Sequence, residues 1–343
     1  METRLESWIQ LATRAPSGDN SQPWDFAFDS GSFKITINKG RARHFLDQDM
    51  SATWISIGCL CENLERSAAF FGFKCLLNIE TDHSVTVKYH TIEPQIDSNT
   101  IDVITKRQTF RGKLNKVTLD LNSFNLEFPV LNNEGRQFKW QLVPRVSKAL
   151  IWKWSWLETV LWLKTSLMAD FTKWLHGKNE TYEYGISLES LQVSLIDQLS
   201  LMMFKKVPNL IKTVPSWFFH FKTYFRLKFL IESSAGLLCL SSVSHDYRDY
   251  FYAGKEIQRM WLYLTQYNIK AQPLAIQSLF LNFANSDSVK DSLSDDQIRK
   301  IEYIHTKTKV ALHISQNLIF TFRYGTTEQS LPLLPRKKIV VTH

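Results

Sequence analysis

The sequence predicts an α+β protein built from two related halves, each a mostly antiparallel sheet flanked by helices. Three observations predict this. Short alternating apolar runs come in pairs around turn residues, as antiparallel hairpins require. Two long amphipathic helices carry the same pattern 254 − 58 = 196 positions apart. A helical, aromatic-rich stretch at about 147–234 interrupts the second half. The expected division is therefore 1–100 for the first half and 101–343 for the second, insertion included.

Taken in order, Thr3 to Glu6 has capping-box spacing, and Leu5, Trp8, Ile9 and Ala12 then share one helical face. Pro16 disfavours helical geometry at Ala15, so this helix ends there. Strands are expected at Asp25–Asp29 and Phe33–Ile37, joined at Ser30-Gly31. Ala52–Phe71 reads as a helix with Ile57, Cys61, Leu64, Ala68 and Phe71 on its buried stripe, and Gly72 suits a left-handed cap. Strands follow at Cys75–Glu80 and Ser84–His90. In the second half a strand at Ala235–Ser242 precedes a helix at Arg248–Tyr267. There Ala253, Ile257, Met260, Leu264 and Tyr267 repeat the first stripe, and Asn268 stands where Gly72 stood. Later strands are expected at Lys309–Ser315 and Leu318–Tyr324.

The insertion interleaves aromatic and basic residues, including Trp152, Trp154, Trp156, Trp162, Trp174 and Trp217-Phe218-Phe219. Three readings stay open: packing between the halves, a lid over an aromatic ligand, or contact with a membrane surface.

An apolar content of 44% with 22% charged residues suits a globular chain with an ample core. No apolar run is long enough to span a bilayer, and the N-terminus lacks the pattern of a secretory signal. Cytoplasmic localisation is expected. The four cysteines fit neither a zinc site nor a disulfide framework. The net charge of +8 favours anionic partners, but no nucleic-acid-binding signature accompanies it. Metal, P-loop and dinucleotide fingerprints are absent.

Chemistry concentrates in a few short segments. Pro16-Ser17-Gly18-Asp19-Asn20-Ser21-Gln22-Pro23-Trp24 is a polar elbow between two prolines, suited to a planar polar ligand. In Arg107-Gln108-Thr109-Phe110-Arg111, alternation points Arg107, Thr109 and Arg111 the same way in extended chain. Two guanidinium forks beside a hydroxyl match a phosphate monoester. Pro273-Leu274-Ala275 follows the second repeated helix. Arg336 lies in a basic C-terminal segment, for which an ordinary charged tail is the alternative.

The elbow closely resembles the ligand loop of the nitroreductase superfamily, whose members bind FMN. In that resemblance Arg107, Thr109 and Arg111 match the segment that holds the FMN phosphate and ribityl chain, and Arg336 the basic residue returning to the phosphate. Pro16, Ser17, Gly18, Asn20 and Gln22 match the loop. Pro273, Leu274 and Ala275 match backbone lying along the flavin ring, although the acidic residue and Gly common there are missing. In ordinary nitroreductases the basic segment opens the subunit and the elbow follows, with FMN held between two subunits. Here the elbow comes first, so one chain supplies both sides of one pocket, as in the fused single-chain branch called the Acg family. The resemblance implies FMN as cofactor, NAD(P)H as donor and a nitroaromatic, quinone or other conjugated small-molecule acceptor. It implies a monomer or weak dimer and requires no catalytic side chain. The alternative is an FMN-binding storage, sequestration or sensing protein without turnover.

Overall fold

The computed structural model of the chain describes residues 2–42, 47, 49–127, 135–177, 180–244, 246–280 and 293–341. Helix α1 (Glu2–Ala12) buries Leu5, Trp8, Ile9 and Ala12, the face its periodicity marks. It already includes Thr3, so that residue does not cap it. Strands β1 (Trp24–Asp29) and β2 (Ser32–Ile37), a short α2 (Lys39–Ala42), α3 (Ser51–Ala68), β3 (Phe73–Ile79) and β4 (Val85–Thr91) follow. Gly72 ends the α3 region at φ +75°, the left-handed geometry that glycine adopts without steric cost.

After α4 (Ser98–Lys106) and α5 (Leu121–Glu127) comes β5 (Phe138–Val143). The insertion holds α6 (Lys148–Trp162), α7 (Thr165–Lys173), two-residue strands β6 (Leu175–His176) and β7 (Ile186–Ser187), α8 (Leu195–Lys206) and α9 (Ser216–Ser233). The chain continues through β8 (Gly236–Ser242), α10 (Tyr247–Gln266), β9 (Lys270–Pro273), α11 (Asp295–Ala311) and β10 (Asn317–Gly325). One expected strand, Lys309–Ser315, is not formed. Ala311 ends α11, which a Ser294–Gln297 capping box starts and whose Ile301, Ile304 and Thr308 are buried, so helical periodicity outweighs the local alternation.

Two four-stranded antiparallel sheets result, in the orders β1-β2-β4-β3 and β5-β8-β10-β9. Each has its long helix between its second and third strands in sequence, α3 in one and α10 in the other. The helical insertion occupies the place of the tight β1–β2 turn.

Helices α3 and α10 pack against each other and are buried along most of their length. Glycine permits the contact. A Cβ on Gly58 would lie 2.0 Å from the Phe251 carbonyl oxygen, and one on Gly254 would lie 2.2 Å from that of Ile55. Both pairs are related by the same offset, 254 − 58 = 251 − 55 = 196, so the contact is reciprocal, as across a two-fold interface. The Gln258 amide donates to Asn63 Oδ1 at 2.7 Å, and the Cys59 thiol to the Gly254 carbonyl at 3.1 Å. Helix α1 docks on this pair, with Trp8 Nε1 donating to the Leu64 carbonyl (2.9 Å) and Asn63 Nδ2 to that of Ala12 (3.1 Å). The C-terminal end of α1, where the elbow begins, is thus fixed to the central helices.

Candidate functional site

The elbow folds as a single 3-10 turn at Gly18–Asn20, with Asp19, Asn20 and Gln22 all at positive φ. Asn and Asp tolerate that region better than most residues. Ser17 Oγ accepts the Gln22 N–H at 3.0 Å, which closes the loop. Opposite it, α4 ends at Arg107, whose ψ of 125° turns the chain into extended geometry. Thr109 bridges Ala271, and the Phe110 N–H donates to the Ala271 carbonyl at 3.1 Å, which moors the basic segment beside β9. The C-terminal segment then returns across both.

These pieces meet at one partly open space of about 50 Å³. Pro16, Ser17 and Asn20 of the elbow line it, with Arg107, Thr109 and Arg111 of the basic segment and Arg336 of the C-terminal segment. Of the other expected site residues, Gly18 belongs to the same turn but is not in the lining. Gln22 is buried and engaged, its Nε2 donating to the Glu183 carbonyl at 2.7 Å and its Oε1 accepting the Lys337 N–H at 3.0 Å. Pro273, Leu274 and Ala275 lie outside the lining, and the Leu274 N–H donates to the Thr321 carbonyl at 2.8 Å.

Sequence reasoning missed Arg14. It also lines the space, and its Nη1 donates to the Leu334 carbonyl at 2.9 Å. Its position two residues before Pro16, on the fixed end of α1, was the available signal. Four guanidinium groups therefore converge: Arg14, Arg107, Arg111 and Arg336. Among the described residues, none of the four is paired with a carboxylate. Burial lowers all four below the usual arginine range, and Arg107 is pushed down to about 9, with the positive charge of Arg14 adding to the effect. The Asp19 carboxylate acts the other way on Arg111.

The four differ in what holds them. Arg336 is wired into the fold, donating to the Thr13 carbonyl (2.6 Å), Asn20 Oδ1 (2.5 Å) and the Pro335 carbonyl (2.9 Å). Arg107 is less committed. Its Nη2 donates to the Arg14 carbonyl at 2.7 Å, and its guanidinium lies 4.5 Å from the Trp261 ring centroid. The Nε atoms of Arg107 and Arg14 are buried without a hydrogen-bond partner. Buried cations with spare donors and no counter-charge carry a desolvation cost that a bound anion would offset. The donor set fits a phosphate group.

The space is covered from two sides. Ile186 and Ser190 of the insertion form one wall, and Leu331, Pro332 and Leu334 another. The insertion wall is tied down at both ends. Gln192 Oε1 accepts the N–H groups of Arg111 (2.5 Å) and Gly112 (3.0 Å), and Asn20 Nδ2 donates to the Gly185 carbonyl at 3.0 Å. The cover therefore comes from residues near 183–192. Trp217, for which a lid over the ligand is one of the open readings, lines a second, open cavity with Trp156, Lys164, Lys212 and His220.

The thiols offer no nucleophile. Cys59, Cys61 and Cys239 are buried, and burial pushes every cysteine up, Cys75 and Cys239 to about 12. Among the described residues no cluster of three or more His, Cys, Asp or Glu is placed to hold a metal ion. No described helix is long and apolar enough to cross a membrane.

No protein-family model matches the chain, and no curated protein matches it. Among solved structures it is similar to oxidized iodotyrosine deiodinase bound to FMN and 3-iodo-L-tyrosine. The identity is 14%, over 71% of this chain and 97% of that chain, with a TM-score of 0.32. An overlap that loose places no ligand here, and the functional reading rests on the residues of this chain.

Proposed function

We propose that the protein binds FMN and acts as a nitroreductase-like, FMN-dependent oxidoreductase with NAD(P)H as donor and a conjugated small molecule as acceptor. One observation carries this reading: the elbow, the basic segment and the C-terminal arginine, remote in sequence, supply one pocket where four guanidinium groups converge, with the Asp19 carboxylate acting on Arg111 alone. A phosphate monoester satisfies that pocket through charge-assisted hydrogen bonds. The resemblance of the same segments to the nitroreductase loop and phosphate-binding segment makes FMN the phosphate-bearing ligand.

In this reading Arg14, Arg107, Arg111 and Arg336 hold the phosphate, with the Ser17 and Thr109 hydroxyls beside them. Gly18 and Asn20 shape the elbow, and Gln22 locks it to the insertion and to the C-terminal segment. Pro273, Leu274 and Ala275 are assigned to the ring end. When bound, FMN supplies two-electron hydride chemistry. The chain contributes position, charge and exclusion of water, and no side chain need move a proton. The matching strand orders and the reciprocal α3–α10 contact support two duplicated halves, 1–100 and 101–343, which form the pocket within one chain.

The size of the space favours a second reading, FMN binding for storage or sensing without turnover. About 50 Å³ suits a phosphate group and not a three-ring flavin, so entry of the whole ligand requires the Ile186–Ser190 or Leu331–Leu334 cover to move. One experiment separates the readings. The purified protein is titrated with FMN and with riboflavin, and the FMN complex is then mixed anaerobically with NADPH. Tight FMN binding with bleaching of the flavin absorbance supports the oxidoreductase. Tight binding without bleaching supports storage, and equal affinity for riboflavin refutes the phosphate site.

A further inference from the structure

Helices α8 and α9 are apolar on the wrong side. On α9 the inner face carries Thr223, Leu227, Leu230 and Ile231, which are buried. Its outer face carries Phe218, Phe221, Phe225 and Phe229, at helical spacings of three and four, and all are exposed. On α8, Phe204 packs inward, while Leu195, Leu199, Met203 and the following Val207 form an exposed stripe. Ile196 and Trp217 widen the face. These side chains are between 47% and 76% exposed. Ten of the nineteen exposed large apolar side chains among the described residues fall between Leu195 and Phe229, so the exposure is local. A salt bridge from Lys222 to Asp197 ties the two helices side by side.

The charge around this face is one-sided. Between Leu195 and Phe229 stand six basic residues against one carboxylate, Asp197. Arg226 and Lys228 pair with Glu158 and Glu232 from outside that stretch, and Lys205 donates to the Leu175 carbonyl. Asp197 is already taken by Lys222, which leaves Lys206 and Lys212 as the basic side chains turned to solvent. A second copy of the chain suits this face poorly. A two-fold contact brings a patch against itself, so cations would meet cations on chains that each carry +8.

We propose that the outer face of α8 and α9 docks this protein onto an anionic lipid bilayer, lying in the interface without crossing it. The phenylalanine and leucine side chains enter the boundary between headgroups and acyl chains, and the basic side chains reach the anionic headgroups. An exposed apolar face rimmed by positive charge has the composition such a surface selects. The site is remote in kind from the guanidinium pocket and does not depend on what that pocket binds.

Flotation of the full-length protein tests this, using vesicles of phosphatidylcholine alone and of phosphatidylcholine mixed with phosphatidylserine. Binding should favour the phosphatidylserine vesicles at least about tenfold and weaken as salt screens the lysines. Phe221→Gln with Phe225→Gln should reduce binding at least about tenfold. Lys206→Glu with Lys212→Glu should reduce it about thirtyfold or more. The lysine variant should keep the wild-type thermal unfolding midpoint. The phenylalanine variant should stay within a few degrees of it, since it forfeits edge-to-face contacts of Phe221 with Trp152 and of Phe225 with Tyr224. The proposal is overturned if the wild type stays in the aqueous phase with phosphatidylserine vesicles, or if both variants float as well as it does. A concentration-dependent dimer in light scattering that Phe221→Gln with Phe225→Gln abolishes would assign the face to a second copy and also overturn it.

Discussion

Arg107→Gln separates ligand binding from folding in this pocket. In the folded chain the Arg107 side chain makes one hydrogen bond, to the Arg14 carbonyl, and leaves its buried Nε unpaired. It is a cation placed near Arg14 and Arg336, and burial holds it at about 9. Removing its charge forfeits one hydrogen bond, worth about 1 kcal/mol net. It also forfeits the cation–π contact with Trp261, worth about 0.5–2 kcal/mol. Relief of repulsion inside the pocket offsets part of that loss. The ligand-free variant should therefore unfold within about 2 kcal/mol of the wild type. Ligand binding should respond differently. One charge-assisted bond to phosphate is worth about 1.5–3 kcal/mol, which weakens FMN by about 10- to 150-fold at 1.4 kcal/mol per tenfold. Riboflavin, which has no phosphate, should change less than about threefold. Fluorescence titration of both ligands at fixed ionic strength, with urea denaturation of the ligand-free protein, measures all three quantities. Equal losses for FMN and riboflavin would refute the phosphate assignment. A loss of several kcal/mol in the ligand-free protein would refute the view that Arg107 is spare to the fold.

Four further outcomes are expected. Arg336→Ala should cost the ligand-free protein at least about 2 kcal/mol, because it strips donors from the Thr13 and Pro335 carbonyls and from Asn20; an unchanged urea midpoint would contradict this. Gly58→Ala should cost about 3 kcal/mol or prevent soluble expression, since its Cβ meets the Phe251 carbonyl oxygen at 2.0 Å, and Gly254→Ala should behave alike; wild-type stability in either would disprove the close helix contact. Phosphate should raise the melting temperature at neutral pH and lose that effect as pH rises through about 9, where folded Arg107 gives up its proton. The same lowered value makes the intrinsic contribution of Arg107 to folding rise with pH above about 9, because the unfolded chain then binds more protons, so the two trends have opposite signs in calorimetry with and without phosphate. FMN affinity should not depend on protein concentration, since the elbow and the basic segment, one from each proposed half, line the same space; an affinity that rises with dimer formation in light scattering would count against the single-chain pocket.

Sequence alone determined the elements whose information is local. The stripe of α1, the α3 and α10 helices, the left-handed residues Gly72 and Asn268, and six of the seven expected strands follow from periodicity and turn chemistry, which neighbours in the chain encode. Arg107, Thr109 and Arg111 line one space, but Gln108, which alternation would turn away, lines it too, so alternation alone does not set that grouping. The expected strand at Lys309–Ser315 failed because a capped helix had already claimed those residues as far as Ala311.

What only the tertiary structure decided depends on segments far apart. Arg14 became part of the site because the C-terminal segment folds back over the end of α1, a contact across about 320 residues. The cover over the pocket came from Ile186 and Ser190, held by Gln192 and Asn20, and not from the aromatic run that composition made conspicuous. Composition shows that aromatic residues are present. Which face of a helix finds a partner is a matter of packing, and here packing left the phenylalanines of α9 facing outward.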